Sequence, residues 1–302
     1  MVTQLGADLL AHIGATPLVQ VEKGIFAKLE YLNPSGSIKA RIAKYMIEHA
    51  ETQGLLKPGM TIVEASSGNT GNALSMVAAV KGYKMLVLMP EGLSSERVAI
   101  SKAFGAQVRE LGDFHVNNAL EEARLLGQQP GFYCPGQFDS ELNVEENREV
   151  FGPEILADLG EGRTPDAFVM GVGTGGTLIG VGQCLHAVNP SCWVVGMEPD
   201  ESCTILCGEV HHHKIEGIAD GFIPGIFERH YDEVNELVAV SSLDAITEMY
   251  ALAKRGYLVG PSSGANLVAA RRLKDRHPEF DTIVTVFCDE GEKYLSEYYL
   301  GQ

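Results

Sequence analysis

Lys39 carries the strongest chemical signal in the chain. It closes Asn33-Pro34-Ser35-Gly36-Ser37-Ile38-Lys39, where a turn-forming run meets an amphipathic pattern. Ile38, Ile42, Ala43, Met46, Ile47 and Ala50 recur at helical spacing and Gly54 supplies a stop, so a helix is expected here with Ser37 as its N-cap. Lys39 then falls in the first turn, where the helix dipole presents its positive end. A cation is poorly placed there. A neutral amine, the form that makes a Schiff base with a carbonyl, is favoured. The plain alternative is a surface lysine at a helix start, and two glycine-rich loops downstream weigh against it.

The first loop is Glu64-Ala65-Ser66-Ser67-Gly68-Asn69-Thr70-Gly71-Asn72, with five small residues at Ser66–Thr70, after the apolar strand Thr61-Ile62-Val63 and before a helix expected from about Asn72 to Lys81. A helix N-terminus presents unpaired N–H groups to an anion, and the serine, asparagine and threonine side chains add donors suited to a carboxylate or phenolic oxygen. The bland alternative is a polar N-cap turn, but five consecutive small residues exceed what a cap needs. The second loop, Gly171-Val172-Gly173-Thr174-Gly175-Gly176-Thr177, follows the strand Ala167-Phe168-Val169-Met170. Its glycines let backbone approach a phosphate and its threonines donate hydroxyls. Read literally it also contains a dinucleotide fingerprint, with Glu198 at the end of the strand Trp193 to Met197 as the ribose-binding acid. A nicotinamide site would leave Lys39 and Ser66–Thr70 without a purpose, whereas a monophosphate fits all three features. A fourth element, Gly260-Pro261-Ser262-Ser263-Gly264, joins an apolar stretch to a helix, and Ser262 there is either a partner for a ring nitrogen or a serine cap.

In this order the motifs resemble the cysteine synthases (O-acetylserine sulfhydrylases) of the fold-type II, β-family pyridoxal-phosphate enzymes, with the B-type isozyme nearest. The resemblance runs from Ile13-Gly14-Ala15-Thr16-Pro17-Leu18 to Cys288-Asp289-Glu290-Gly291-Glu292-Lys293-Tyr294-Leu295-Ser296. It implies that Lys39 holds pyridoxal 5'-phosphate as an internal aldimine, that Asn69 bonds its phenolic oxygen, that Gly173, Thr174, Gly175, Gly176 and Thr177 bind the phosphate, and that Ser262 faces the pyridine nitrogen. Ser66, Ser67, Gly68, Asn69, Thr70 and Gln137 would hold the substrate, chiefly its α-carboxylate. The implied reaction is a β-replacement that makes L-cysteine from O-acetyl-L-serine, or a close relative such as O-phosphoserine, and sulfide through an aminoacrylate. A neutral serine at the ring nitrogen suits that chemistry, because it limits the ring's electron withdrawal. Lys39, once displaced, becomes the base for the α-proton.

Other reactions on the same scaffold stay open: cystathionine β-synthesis, cysteine desulfhydration (a lyase reaction) and serine/threonine dehydration. The last is disfavoured by Gly173-Thr174-Gly175-Gly176-Thr177, where dehydratases tend to a glycine run. A non-catalytic role, the pocket taking a partner's C-terminal tail, is opposed by the intact Lys39. The chain also departs from the family pattern. Ala40 follows the lysine where the family usually has Asp, the segment 139–151 is rewritten beside Gln137, and Gly217-Ile218-Ala219-Asp220-Gly221 replaces Gly-Ile-Gly-Ala-Gly, adding a carboxylate.

These groups must be positioned by α/β elements. Strand signals near 61, 84–88, 106–108, 167, 193 and 282–286 alternate with helical patterns, the signature of parallel sheets flanked by helices. With 302 residues and 45% hydrophobic content, two α/β lobes are expected, each a mostly parallel twisted sheet. The resemblance puts the larger, cofactor-binding lobe at 1–35 and 145–302 and a smaller, mobile lobe that closes on substrate at 36–144. It further implies a homodimer and, as a candidate partner, the tail of a serine acetyltransferase. The net charge of −17 argues against nucleic acid and anionic membranes. Neither a transmembrane stretch nor a signal peptide is apparent, so a cytoplasmic enzyme is expected. The six cysteines contain no C-x-x-C pair and read as free thiols of a reducing compartment. Cys203-x3-Cys207-x3-His211-His212-His213 offers zinc-type ligands but matches no common zinc spacing, so no metal is expected.

Overall fold

The computed structural model describes residues 9–91, 94–112 and 116–300. Residues 1–8 of the lobe expected at 1–35 lie outside the described residues. The chain forms two compact units. Met1–Gly14, Asn33–Gln137 and Gly291–Gln302 make the first, and Ala15–Leu32 with Phe138–Glu290 make the second. Both are α/β.

In chain order, β1 (Leu18–Glu22) and β2 (Ile25–Leu29) open the second unit as an antiparallel pair. The first unit follows with α1 (Lys39–Thr52), β3 (Thr61–Ala65), α2 (Asn69–Lys81), β4 (Lys84–Met89), α3 (Ser95–Ala103), β5 (Gln107–Glu110), α4 (Asn117–Gly127) and the short β6 (Phe132–Tyr133). Its strands lie in the order β5-β4-β3-β6, all parallel. Ala43, Ile47 and Ala50 of α1 and Ala73, Leu74 and Val77 of α2 share one buried core with Ile62, Val87 and Met89 of the sheet. The apolar stripe read from the sequence is therefore the face that α1 buries.

Two local expectations need correction. α1 begins at Lys39, but the residue before it, Ile38, is itself in helical conformation, and Ser37 makes no capping bond. Ser37 Oγ is instead buried without a hydrogen-bond partner. α2 begins at Asn69, not Asn72, because Gly68 turns the chain at φ 149, a conformation that favours glycine. Ser66 then caps from a distance: its Oγ accepts the Gly68 and Gly71 amides at 3.0 and 2.9 Å.

The second unit continues with α5 (Glu141–Glu146), a π-helical turn (Asn147–Phe151), α6 (Gly152–Leu159), β7 (Ala167–Gly171), α7 (Gly176–Val188), β8 (Trp193–Pro199), α8 (Thr204–Cys207), α9 (Gly225–Arg229), β9 (Glu236–Val240), α10 (Ser242–Lys254), α11 (Pro261–Arg276) and β10 (Ile283–Phe287). Its sheet runs β1-β2-β10-β7-β8-β9, parallel except for β1. β7 and β10 are buried at every residue, as central parallel strands must be. The strands missed in the sequence have weaker patterns. β1 and β9 are only partly buried edges, β6 has two residues, and β2 is interrupted by Lys28. Lys28 is nonetheless fully buried, held by Glu154, Asp158 and the Thr16 carbonyl.

Asn266 of α11 joins helix to sheet at the centre of this unit. Its Oδ1 accepts the Gly171 amide at the end of β7, and its Nδ2 donates to Val286 O of β10, both at 2.8 Å and fully buried. Asn266→Leu removes both bonds while keeping the volume. Two buried backbone groups left unsatisfied should lower stability by about 2–6 kcal/mol, read as a drop in the urea midpoint. A loss below about 1 kcal/mol would contradict the bridging role.

Candidate functional site

In open parallel sheets, ligand-binding loops gather beyond the carboxyl ends of strands where the winding direction reverses. The first unit reverses between β3 and β6, since β4 and β5 extend the sheet on the opposite side. The loop after β3 carries Ser66–Thr70 and the segment after β6 carries Gln137. The fold brings the two together. Thr70 Oγ1 donates to Gln137 Oε1 at 2.5 Å, and Gln137 Nε2 donates to Ala65 O at 2.8 Å. Glu64, absent from the expected site, aligns the glutamine. Its Oε2 accepts the Gly136 and Gln137 amides at 2.8 and 3.1 Å, and its Oε1 accepts Ala65 N at 3.0 Å. Glu64, Ser66, Thr70 and Gln137 are all buried. Ser67 and Asn69 stay partly open, and half-buried Lys39 opens α1 in the same unit.

The alternative of a polar N-cap turn holds in part for this loop. Ser66 Oγ accepts two amides, so its oxygen is structural, while its hydrogen still has a ligand to find. A loop with one hydroxyl hydrogen, the α2 N-terminus and an amide group suits a carboxylate.

The second unit reverses between β7 and β10. Beyond β7, Gly173, Thr174 and Gly175 lead into the N-terminus of α7, whose first residues are Gly176 and Thr177. Asn143 supports this loop from behind. Its Nδ2 donates to Thr174 Oγ1 at 2.9 Å, and Gly176 N donates to the same oxygen at 3.3 Å. The Thr174 hydroxyl is thus left to donate its own hydrogen. Buried threonines, a helix N-terminus and glycines without side chains form a donor set that fits a phosphate dianion. The glycines also serve packing. A Cβ on Gly173 would lie 2.9 Å from Gly217 O, one on Gly175 3.0 Å from Phe227 Cβ, and one on Gly176 2.1 Å from Asn143 Oδ1. Widening them would therefore disturb the unit itself as well as the approach of a phosphate.

Beyond β10, Gly260 N donates to Asp289 O at 3.0 Å, fixing the start of α11. Ser262 lies buried at the second position of that helix, and neighbouring Ser263 accepts the Cys288 amide at 2.9 Å. The cap residue is Gly260, with no side-chain capping bond, so neither serine is a helix cap.

The rewritten 217–221 segment packs on the phosphate-type loop through Ala219 N to Val172 O at 3.1 Å. Ala219 occupies φ 52, a left-handed backbone uncommon for a residue with a Cβ. His213 steadies it: Nδ1 accepts Ile215 N and Nε2 donates to Ala219 O at 3.1 Å. Burial pulls the His213 imidazole below its usual range, against the Ala219 bond and the Asp220 charge. The neutral ring fits this bonding pattern.

Glu198 is not free for a ribose. Its carboxylate accepts Ile205 N and Leu206 N at 2.9 and 2.8 Å, capping α8, and burial raises its pKa against those two bonds. Nor do all the cysteines remain thiols. Cys203 and Cys207, at the ends of one helical turn with Cα atoms 5.3 Å apart, form a disulfide, which corrects the free-thiol reading and removes both sulfurs as metal ligands. Among the described residues, no group of three or more His, Cys, Asp or Glu side chains is arranged to hold a metal ion.

Comparison with known proteins agrees with this geometry. Residues 9–289 match the family model described as pyridoxal-phosphate dependent enzyme. The chain is 42% identical to a cysteine synthase of Staphylococcus aureus, over 94% of both chains. It is 37% identical to the O-ureido-L-serine synthase of Streptomyces lavendulae, over 96% of this chain and 91% of that one. The crystal structure of an O-acetylserine dependent cystathionine beta-synthase from Helicobacter pylori superposes with a TM-score of 0.90 at 35% identity, covering 97% of this chain and 98% of the other. A lysine opening a helix, a carboxylate-type loop and a phosphate-type loop thus lie within one matched family: the chain belongs to the pyridoxal-phosphate-dependent enzymes of fold-type II.

Proposed function

We propose that this chain is a cysteine synthase that replaces the β-acetoxy group of O-acetyl-L-serine with sulfide. The observation that carries the proposal is the union of Thr70 and Gln137 at the reversal point of the unit that also holds Lys39. That arrangement suits the α-carboxylate of an amino acid whose α-carbon must meet a lysine. The similarity to a cysteine synthase over nearly the whole chain selects the reaction.

Pyridoxal phosphate, when bound, supplies the electron sink that lets the β-substituent leave. The chain's residues supply the rest. Gly173–Thr177 would hold the phosphate through amides of the α7 N-terminus and the Thr174 hydroxyl, and Ser262 would meet the ring nitrogen without imposing a charge. Asn69 would bond the phenolic oxygen. Lys39 Nζ would hold the cofactor and then take the α-proton. Ser66, Ser67, Gly68, Asn69, Thr70 and Gln137 would orient the carboxylate. Closure of the segment 36–144 over bound substrate would exclude water.

The altered segments favour a second reading. Asp220 and the acidic residues of Glu145–Glu149 oppose a phosphorylated substrate, and the rewriting beside Gln137 keeps cystathionine formation or sulfide release from cysteine as the alternative. Product analysis with O-acetylserine, O-phosphoserine, serine and cysteine separates these. Cysteine from O-acetylserine plus sulfide supports the first; turnover of serine or cysteine alone supports the second.

The reading extends to a cytoplasmic homodimer that can take the tail of a serine acetyltransferase. Among the described residues, no helix is long and apolar enough to cross a membrane.

Borohydride treatment of the yellow holoenzyme should attach the cofactor to a peptide containing Lys39, and Lys39→Ala should abolish turnover. Label on another lysine would overturn the assignment. Gln137→Ala should lower kcat/KM for O-acetylserine roughly 10- to 150-fold, the worth of a hydrogen bond to a charged group, with cofactor content unchanged. Loss of cofactor instead would move Gln137 from substrate to cofactor binding.

A further inference from the structure

Lys293 is a fully buried lysine that the reaction, as described, does not use. It lies in the 3-10 turn Gly291–Tyr294 of the first unit. Its Nζ donates to Ser35 O at 2.7 Å, Gly36 O at 3.1 Å and Asn69 Oδ1 at 3.0 Å. An ammonium has three donors and no acceptor, and all three of these partners are acceptors. Two acceptors belong to the turn that leads into Lys39, and the third is the side chain assigned above to the phenolic oxygen.

The contact also fixes the amide. Facing an ammonium, the Asn69 side chain presents its oxygen, so Nδ2 is the end of the amide suited to an acceptor such as a phenolic oxygen. With its oxygen outward, the amide would meet a phenolate with a repelling lone pair. The neighbouring residue backs the same loop. The Tyr294 ring lies 4.8 Å from the Arg97 guanidinium carbon, and the Arg97 stem fills the space where a Gly68 Cβ would fall, 2.4 Å from Arg97 Cδ. Ser94 Oγ holds the Lys293 carbonyl at 3.2 Å. One short turn thus braces the Ser66–Asn69 loop and the approach to Lys39.

We propose that Lys293 is a positioning residue that sets the amide of Asn69 with Nδ2 as donor to the cofactor's phenolic oxygen and holds the Ser35–Gly36 turn in register with it. This rests on the cofactor roles proposed above. A purely structural lysine would alter stability alone; a positioning lysine also alters the bound cofactor's spectrum through Asn69.

The test compares wild type, Lys293→Met, Lys293→Arg, Asn69→Ala and the Lys293→Met/Asn69→Ala double variant. Two properties are measured besides activity: pyridoxal-phosphate affinity of the apoprotein by fluorescence titration, and the visible absorption band of the reconstituted protein. Lys293→Met should weaken affinity roughly tenfold or more and shift the band. Lys293→Arg should restore most of both. The double variant should fall well short of the product of the two single effects, because both changes remove the Lys293–Asn69 contact. Wild-type affinity and band in Lys293→Met, or multiplied effects in the double variant, would overturn the proposal. If Lys293→Met does not fold, Asn69→Asp decides: it keeps an acceptor for Lys293 but lacks the donor. Wild-type melting of its apoprotein with at least tenfold weaker cofactor binding supports the proposal, while wild-type affinity or a lowered melting point overturns it. A wild type that fails to attach cofactor to Lys39 would sink the cofactor roles; normal attachment with an unresponsive Lys293→Met would sink only this inference.

Discussion

Parallel strand pairing is the constraint on which both units depend. Parallel neighbours need crossover connections, and a right-handed crossover through a helix returns each strand in the same direction. All carboxyl ends then face one edge of the sheet, followed by loops that feed helix N-termini. Where the winding reverses, two such loops lie side by side with no crossover between them. The first unit has this point between β3 and β6 and the second between β7 and β10. The chemistry-bearing segments Ser66–Thr70 and Gln137 fall at one reversal, Gly173–Thr177 and Ser262 at the other.

Within each unit topology brings two such loops close, and buried polar side chains give them their shape. Glu64, Asn143 and Asn266 each bond across loops or between helix and strand from positions almost closed to water. Such bonds contribute little net stability when made and cost about 1–3 kcal/mol per group when broken. They therefore select one loop conformation over its neighbours more than they add to the total. Lys293 belongs with them: its buried ammonium meets two carbonyls and an amide oxygen and makes one orientation of Asn69 the favourable one.

Several features were legible in the sequence because they are periodic or local. The face Ile42-Ala43-Met46-Ile47-Ala50 gave α1, and the apolar runs at 61, 84, 167, 193 and 283 gave the central strands. Edges were harder to see. β1 and β9 are partly exposed and alternate poorly, while β2 buries Lys28 against acids 126 and 130 residues away. Caps were harder still. Ser37 has a cap's residue type yet lies buried without a partner, and Ser66 caps α2 from beyond the usual position because Gly68 bends the chain.

What the sequence determined by itself was the chemistry available and the fold class: Lys39 at a helix start, two polar glycine-containing loops after strands, and alternating strand and helix. Those are short-range properties, set by residue type, spacing and backbone freedom. Which groups meet was decided only in three dimensions. Glu198 looked like a ribose acid until its carboxylate was found on two amides of α8, and Cys203 and Cys207 looked like thiols until one helical turn joined them. Nothing local marked Glu64 as the acceptor of the Gly136 and Gln137 amides or Asn143 as the support of Thr174, and Lys293 lies 224 residues from the asparagine it orients. A partner so distant leaves no periodicity to read; it exists because folding buries a polar group and requires that it be satisfied.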